Sequence, residues 1–537
     1  MATRLIRLIA FLIALSLSAL PAFAQDSLTP LVDALGQGGF PDRGRAVDAL
    51  VATGDQRVPP ILQALSDGDL YVRKADEKVV IARTASGGFA LSEPLDGAAL
   101  GDAAKADVEK IKVNNGLRGK IRTAIGSMTL MSEDRAIRLA AAQNVLKNAD
   151  PAMLELLDQA LAQETDPEIK SVMEFARASI VLKTDASIDD KRAAIQSIGA
   201  QGTRAAQTIL INFLPSAPDE LKVEVQAAID SVGRTLAVWD VGQNVWYGIS
   251  LGSVLLLAAI GLAITFGVMG IINMAHGEMV MLGAYTTFVV QGLVRTYAPG
   301  LFDYSLLIAL PAAFLVSAVI GMAIERGIIR WLYGRPLETL LATWGLSLIL
   351  QQAIRTVFGA TNKPIVAPTW MSGSFDLGNL TITWSRLWIV IFAIAVFIIL
   401  QLVLNRTPLG LQMRAVTQNR RMASSMGIRT PFVDAMTFGL GSGIAGLAGV
   451  ALSQIDNVSP NLGQGYIVDS FMVVVFGGVG NLWGTLIGAI TLGIGNKFLE
   501  PYAGAVLAKI LILVLIILFI QRRPRGLFAL KGRAVEQ

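Results

Sequence analysis

The sequence contains no cysteine and only one histidine, His276. The chain therefore cannot form disulfides, has no thiol nucleophile and cannot build a metal site from several His or Cys ligands. Charged residues are also scarce. They make up 16% of the 537 residues, against 53% hydrophobic residues, and the mean hydropathy is +0.56. This composition indicates an integral membrane protein with a substantial polar part, and it excludes many classes of enzyme.

Nucleotide-binding and hydrolase motifs are missing as well. The sequence has no GxxxxGK phosphate loop followed by Ser or Thr, no HExxH and no GxSxG, so the chain is not expected to hydrolyse ATP itself. We predict no catalytic residue, no metal ligand and no cofactor. The net charge of +4 is small for this length and reflects loop arginines. Membrane lipid is therefore an expected partner and nucleic acid is not.

The first 24 residues have the pattern of a secretory signal peptide. Arg4 and Arg7 precede an apolar run at 8–20, and Ala-Phe-Ala at 22–24 matches a small-x-small cleavage site. The alternative is a retained first transmembrane helix. The run is short for a membrane span and polar residues follow it, so cleavage is favoured and the mature chain would begin outside the cytoplasm.

Residues 25–238 are predicted to form a periplasmic α-helical domain. Amphipathic runs are each followed by a second apolar helix, at 46–50 and 60–65, at 137–146 and 153–161, and at 193–198 and 204–214. Asp134, Asp166 and Asp219 mark helix starts. Helix pairs that recur at roughly 30–45 residues suggest a HEAT-like solenoid, with a plain helical bundle as the alternative. Residues 86–113 are expected to form an extended or partly stranded insertion.

Residues 239–537 are predicted to form the membrane domain, so the fold class is an all-α polytopic bundle of about eight membrane segments, some broken or re-entrant. Several apolar runs approach the roughly 20 residues that a span requires. The predicted segments are Val245–Val268, Met279–Val294, Leu306–Ile324, Leu337–Val357, Leu387–Leu404, Phe432–Leu452, the glycine-rich pair Ile467–Val479 and Leu482–Ile494, and Val506–Ile520.

Arginines predict the orientation of this domain. They cluster at 326–335, at 406–429 and at 522–533, and the positive-inside rule places these three segments in the cytoplasm. The C-terminus then lies inside only if the chain at 467–494 returns to the side that it left. Because residues 467–494 must therefore make no net crossing of the membrane, the glycine-rich pair is better interpreted as re-entrant.

The stretch from Gly267 to Glu278 places polar groups and glycines between two apolar runs. Polar groups at membrane depth are costly unless they face protein or a water-filled path, and glycines allow a helix to break where its backbone lines a cavity. We therefore predict that Asn273, His276 and Glu278 line a solute pathway. Two alternatives remain: His276 hydrogen-bonds two helices together, or Glu278 lies at the cytoplasmic interface.

The glycine pattern at 266–284 is echoed at 476–489, which suggests two related broken segments. Asp469 and Asn481 are then the counterparts of the first set of pathway residues. The alternative is that glycine-rich membrane helices simply look alike. Close helix packing is predicted at two pairs with small-xxx-small spacing, Gly439 with Gly443 and Gly484 with Gly488.

The basic loop at 405–431 is amphipathic, with short helices, small residues and a glycine before the next span. Such a unit could dock into a groove of a cytoplasmic partner and transmit its motion. The alternative is an ordinary basic loop.

The Gly267–Glu278 stretch, the Arg414–Gly427 loop and the closing Arg523–Leu527 together resemble LivH-type permeases of ABC importers, over about residues 245–530. The resemblance implies that the loop is a coupling helix, with Arg414, Ala423, Ser424 and Gly427 as coupling residues. The loop lacks the glutamate and second alanine of the better-known importer pattern, which puts individual coupling roles in doubt.

The resemblance also implies a bacterial inner-membrane location and four partners: a second homologous permease, two cytoplasmic ATP-binding subunits and a periplasmic solute-binding protein. LivH-type permeases serve branched-chain amino acids, and the family includes urea-uptake permeases, which resemble this sequence further in their long exported N-terminal region. Urea is thus the expected solute, and a branched-chain amino acid or another amide is the alternative. Two rivals are an ion-coupled transporter that acts alone and a membrane-anchored enzyme.

Overall fold

The computed structural model describes residues 28–85 and 88–528. The predicted signal peptide at 1–24 lies outside the described residues. The chain divides into two compact units between Thr235 and Leu236, within one long helix, Asp219–Met269.

Helices make up most of the first unit, and several begin where the sequence predicts. Asp134 accepts a hydrogen bond from the backbone N–H of Ala136, and Asp166 accepts from Glu168 and Ile169, so both cap helix N-termini. The helices of this unit are α1 Thr29–Asp33, α2 Phe40–Ala52, α3 Val58–Asp67, α4 Asn115–Leu130, α5 Arg135–Asn148, α6 Leu154–Gln163, α7 Pro167–Val181, α8 Ile188–Gln201 and α9 Arg204–Phe213.

A sheet interrupts these helices between Leu70 and Lys110, so the strands begin before the partly stranded insertion that the sequence predicts at 86–113. The strands are β1 Leu70–Arg73, β2 Lys78–Ala85, β3 Gly88–Ser92, β4 Ala99–Ala103 and β5 Val108–Lys110. They form an antiparallel sheet in the order β4-β3-β2-β1-β5. Alternate residues of β2 face two cores: Val79 packs with the helices, and Val80 packs with Leu91 and Val108. The predicted insertion at 86–113 therefore covers only part of the sheet.

The second unit is built mostly from long apolar helices, with shorter helices between some of them. Its helices are α10 Asp219–Met269, which begins in the first unit, α11 His276–Tyr297, α12 Ser305–Gly327, α13 Pro336–Phe358, α14 Trp384–Arg406, α15 Pro408–Gln418, α16 Arg420–Ser425, α17 Thr430–Leu452, α18 Leu462–Gly477 and α19 Leu482–Arg522. A short hairpin, β6 Ser374–Leu377 with β7 Leu380–Thr383, precedes α14.

Six helical segments among the described residues are long and apolar enough to cross a membrane, against the eight or so predicted. They include α10, α11, α14, α17 and α19, together with the segment Pro299–Trp331, which contains α12. The predicted span at 337–357 falls on α13, which has the length but is too polar. The predicted pair at 467–494 corresponds to the short helix α18 and the first part of α19, which kinks at Gly504 (φ 75°). The chain is a polytopic helical membrane protein.

Glycines bring the membrane helices into close contact. An added Cβ at Gly439 would lie 2.7 Å from Met322 Cγ, and one at Gly443 would lie 2.6 Å from the ring of Phe314, both on α12. At Gly484 an added Cβ would overlap the carbonyl of Gly477, and at Gly488 it would lie 3.0 Å from the Val473 carbonyl. All four glycines named from the sequence thus lie where a neighbouring helix approaches the backbone.

Candidate functional site

The chain breaks its helix between α10 and α11. Gly270 has φ 69°, and residues 271–273 have no regular structure. The His276 imidazole Nε2 lies 2.8 Å from the carbonyl oxygen of Ala258. Ala258 lies about 16 Å before Met269, the last residue of α10, measured along the helix. Ala258 is near the middle of the apolar run at 245–268. The connecting segment therefore turns back along α10, and α11 begins beside the middle of this apolar run.

Two side chains hold this broken segment in place. Asn273 is 2% exposed, and its Oδ1 accepts from the backbone N–H of Ala275 at 3.0 Å, which stabilises the turn before α11. His276 Nε2 must carry a proton and donate, because the Ala258 carbonyl can only accept. His276 thus joins α11 to α10, as the structural alternative proposed. Its Nδ1 has no hydrogen-bond partner within the described part of the chain.

Glu278 lies in the first turn of α11 and is only 1% exposed. Its Oε1 accepts from Ser347 Oγ and from Gln351 Nε2, both at 2.8 Å. Its Oε2 is buried and has no hydrogen-bond partner among residues 28–85 and 88–528. Glu278 is therefore not exposed to solvent, because its carboxylate is enclosed against α13.

The partners of Glu278 belong to a polar stripe on α13 that we did not identify from the sequence. Thr339, Thr343, Ser347 and Gln351 follow each other at four-residue spacing and are all buried. Thr343 Oγ1 also accepts from the backbone N–H of Met274, at 3.1 Å. Four-residue spacing places side chains on one helix face, so a count of polar residues by helical period would have revealed the stripe.

The structure does not bring Asp469 and Asn481 to this cluster. Asp469 accepts from Lys509 Nζ at 2.9 Å, and Asn481 caps α19 by accepting from the backbone N–H groups of Trp483 and Gly484. None of the hydrogen bonds in the described ranges joins either residue to the cluster around Glu278. The similar glycine patterns at 266–284 and 476–489 thus contain the starts of α11 and α19, which make different local contacts.

The loop at 405–431 contains α15 and α16, followed by Gly427 in the left-handed region (φ 87°). Arg414 donates to the Leu404 carbonyl at 2.5 Å and so joins α15 to the end of α14. In α16, Ala423 is buried and Ser424 is exposed. Met422 of α16 and Met426, directly after it, are 59% and 77% exposed. The short helix therefore packs on the protein through Ala423 and leaves two methionine side chains exposed.

Arg420 fixes α16 to the membrane helices. Its guanidinium forms a bidentate pair with Asp434 of α17 and lies 4.8 Å above the ring of Tyr333. Tyr333 donates to Glu325 Oε1 of α12 at 3.0 Å. Burial, with the neighbouring carboxylates of Asp434 and Glu325, raises the pKa of Tyr333, so the phenol stays protonated and keeps donating. One arginine therefore connects α16 to α17 and, through Tyr333, to α12.

A cavity of about 490 Å³ lies between the end of α10, the end of α14, the helix α15 and the start of α19. Its polar lining comes from Gln401, Asn405, Arg414, Thr417, Gln418 and Asn481. Arg414 and Asn481, which the sequence assigned to different roles, thus line one space. Gly267 lines it as well, at the end of α10 where the broken segment begins.

Residues 244–520 match the model of the family described as branched-chain amino acid transport system / permease component. The high-affinity branched-chain amino acid transport system permease protein BraD of Pseudomonas aeruginosa is 30% identical over 292 residues, which cover 53% of this chain and 94% of BraD. LivH of Escherichia coli K12, with the same description, is 29% identical over 296 residues, with the same coverage. The ribose import permease protein RbsC of Bacillus subtilis is 33% identical over 111 residues, 19% of this chain and 34% of RbsC. No solved structure matches the chain.

Proposed function

The chain belongs to the family of permease components of branched-chain amino acid transport systems, and from this membership we propose that it is the membrane subunit of an ATP-driven importer of a small polar solute, urea. ATP hydrolysis is assigned to separate subunits. The observation that supports the proposal is the break before α11, where His276 contacts Ala258 in the apolar run of α10 and Glu278 contacts the polar stripe of α13. Broken helices near the membrane midplane are a recurring way to build a solute site.

Urea is proposed because its two NH2 groups suit a lining rich in acceptors and because urea-uptake permeases share the long N-terminal region. A branched-chain amino acid is the second candidate, and the names of BraD and LivH favour it. In both cases Asp469 and Asn481 are proposed to lie further along the route, with Asn481 and Arg414 in the 490 Å³ cavity at its cytoplasmic end.

We propose that α16 is the coupling helix. Its exposed Met422, with Met426 directly after the helix, would enter a groove of an ATP-binding subunit, and Ala423 and Ser424 would lie at the contact. Arg414 and Gly427 would set the positions of the neighbouring segments. The complete transporter would contain this chain, a second homologous permease, two ATP-binding subunits and a periplasmic binding protein.

The proposed location is the inner membrane of a bacterium, with the C-terminus inside. The backbone N–H of Leu527 donates to the Phe476 carbonyl, so the basic tail lies at the end of α18, on the cavity side that Arg414 also occupies. After removal of the signal peptide the first unit would lie in the periplasm, where its HEAT-like helix pairs would dock another subunit.

Co-purification of the chain with its neighbouring subunits and reconstitution into proteoliposomes tests the proposal. We expect uptake of radiolabelled urea that requires ATP and the binding protein. Uptake of leucine and not urea would assign the branched-chain candidate. Uptake by this chain alone, driven by an ion gradient without ATPases, would overturn the importer.

A further inference from the structure

We propose that Glu278, held by Ser347 and Gln351, forms a binding site at about half the membrane depth for an N–H group of the transported solute. This inference rests on the proposed function and deepens it. The shared chemistry is an N–H donor: the NH2 groups of urea, or the ammonium group of an amino acid.

The carboxylate of Glu278 is held in place, but only one of its two oxygens has hydrogen-bond partners among the described residues. Ser347 Oγ and Gln351 Nε2 both donate to Oε1 at 2.8 Å, and Gln351 Nε2 also donates to Ser347 Oγ at 3.2 Å. These bonds hold the carboxyl plane in one orientation and leave Oε2 buried, with no partner in the part of the chain that the structure describes. A buried polar atom without a hydrogen bond is costly, so a solute that donates to Oε2 gains more than it would in water.

The charge balance around Glu278 favours a donor as the ligand. Both of its hydrogen-bond partners are neutral side chains, and within the described residues no ion pair includes Glu278. The Arg355 guanidinium, one turn after Gln351, acts on the carboxylate only through its charge at longer range. An acceptor group or an anion would therefore meet a carboxylate oxygen without a compensating donor. An amide N–H or an ammonium group supplies the missing bond, and an ammonium group adds a favourable charge.

The location also fits a solute site better than a simple clamp between helices. The segment before α11 contacts α13 through the Thr343–Met274 hydrogen bond, and α11 contacts α13 through the Tyr285 and Phe358 rings, whose centroids are 4.8 Å apart. Glu278 lies between these two contacts, in the first turn of α11. This part of the chain is thus held to α13 on both sides of the carboxylate.

The variant Glu278→Gln distinguishes a solute-binding role of Glu278 from a role as a contact between helices. The glutamine carbonyl can still accept from Ser347 and Gln351, while its NH2 group replaces Oε2, so the free acceptor becomes a donor. The matched control is Glu338→Gln, at the start of α13, where the carboxylate is exposed and pairs with Arg335. Both variants are compared with the wild-type transporter, assembled with its ATP-binding and binding-protein subunits in proteoliposomes, with urea and with leucine.

We expect Glu278→Gln to lower ATP-dependent uptake at least tenfold, since it removes a hydrogen bond to a charged acceptor and places two donors face to face. ATP hydrolysis should stay within about twofold of wild type, and Glu338→Gln should change neither rate. A larger loss for leucine than for urea would identify an ammonium group as the ligand. A loss of about tenfold for urea alone would identify the amide.

Four results would overturn the site. Unchanged uptake by Glu278→Gln would leave Glu278 a helix contact only, while the importer function would stand. A parallel loss of uptake and ATP hydrolysis, or a failure of Glu278→Gln to accumulate in the membrane, would also make it a structural clamp. If the wild-type transporter moves neither solute, the proposed function fails, and the site fails with it.

Discussion

At the scale of single residues, the buried carboxylate of Glu278 and the left-handed backbone of Gly427 are the two features with the clearest consequences. Glu278 is constrained through its side chain, by donors on one oxygen. Gly427 is constrained through its backbone: φ is 87°, and an added Cβ would meet nothing within 4 Å. A substitution at Gly427 therefore changes the local conformation without creating a clash.

We expect Gly427→Val to abolish uptake while the chain still inserts into the membrane normally. A β-branched residue in the left-handed region costs about 1–3 kcal/mol, so the segment after α16 would adopt another conformation and move α16 relative to α17. Uptake and membrane yield measure the two effects. Gly327→Val is the matched control, because Gly327 also has open space around it but has no positive φ. Normal uptake by Gly427→Val would remove the coupling assignment.

At the scale of elements, α16 is held to α17 and to the segment after α12 through Arg420. A six-residue helix is too short to be stable alone, so its position depends on such tertiary contacts. The Asp434 side chain is 1% exposed and that of Arg420 is 41% exposed, so we discount the value of the pair to about 1–2 kcal/mol. That amount is enough to decide whether a short helix stays docked.

We expect Arg420→Met to release α16, so that ATP hydrolysis by the transporter continues while uptake falls severalfold. Arg420→Lys should not restore uptake, because an ammonium group cannot make the bidentate pair and stack on Tyr333 in the same way. Because the chain has no cysteine, a single spin label at Ser425→Cys reports the mobility of α16 directly. Label mobility should rise in Arg420→Met and stay unchanged in the neighbouring Arg421→Met. Equal mobility in both variants would contradict the role of Arg420.

At the scale of the whole molecule, the path of the chain through the membrane decides which side each loop faces. α18 and the first part of α19 run as an antiparallel pair, and the kink at Gly504 turns the rest of α19 back. We propose that the pair returns to the side that it left, as the positive-inside rule requires for an internal C-terminus. The six segments that are long and apolar enough to cross a membrane leave out α13, which is too polar, and α18, which is too short. They therefore do not give the number of membrane crossings by themselves.

Cysteine labelling tests this topology. We expect a membrane-impermeant maleimide to label Ser372→Cys from outside intact spheroplasts and to label Ser425→Cys only after the membrane is permeabilised. The cysteine-free wild type is the control for background labelling. Labelling of Ser425→Cys in intact cells would reverse the proposed orientation.

The sequence alone determined the class of this protein, because composition and long apolar runs are direct consequences of a lipid environment. It also identified the permease family and the break near Asn273, since glycines and polar groups in an apolar run stand out locally. The tertiary structure alone decided what the break encloses. Glu278 meets Ser347 and Gln351 across about 70 residues of chain, and Arg420 meets Tyr333 across a similar separation. Such contacts depend on how helices pack, and local periodicity carries no information about which helix faces which.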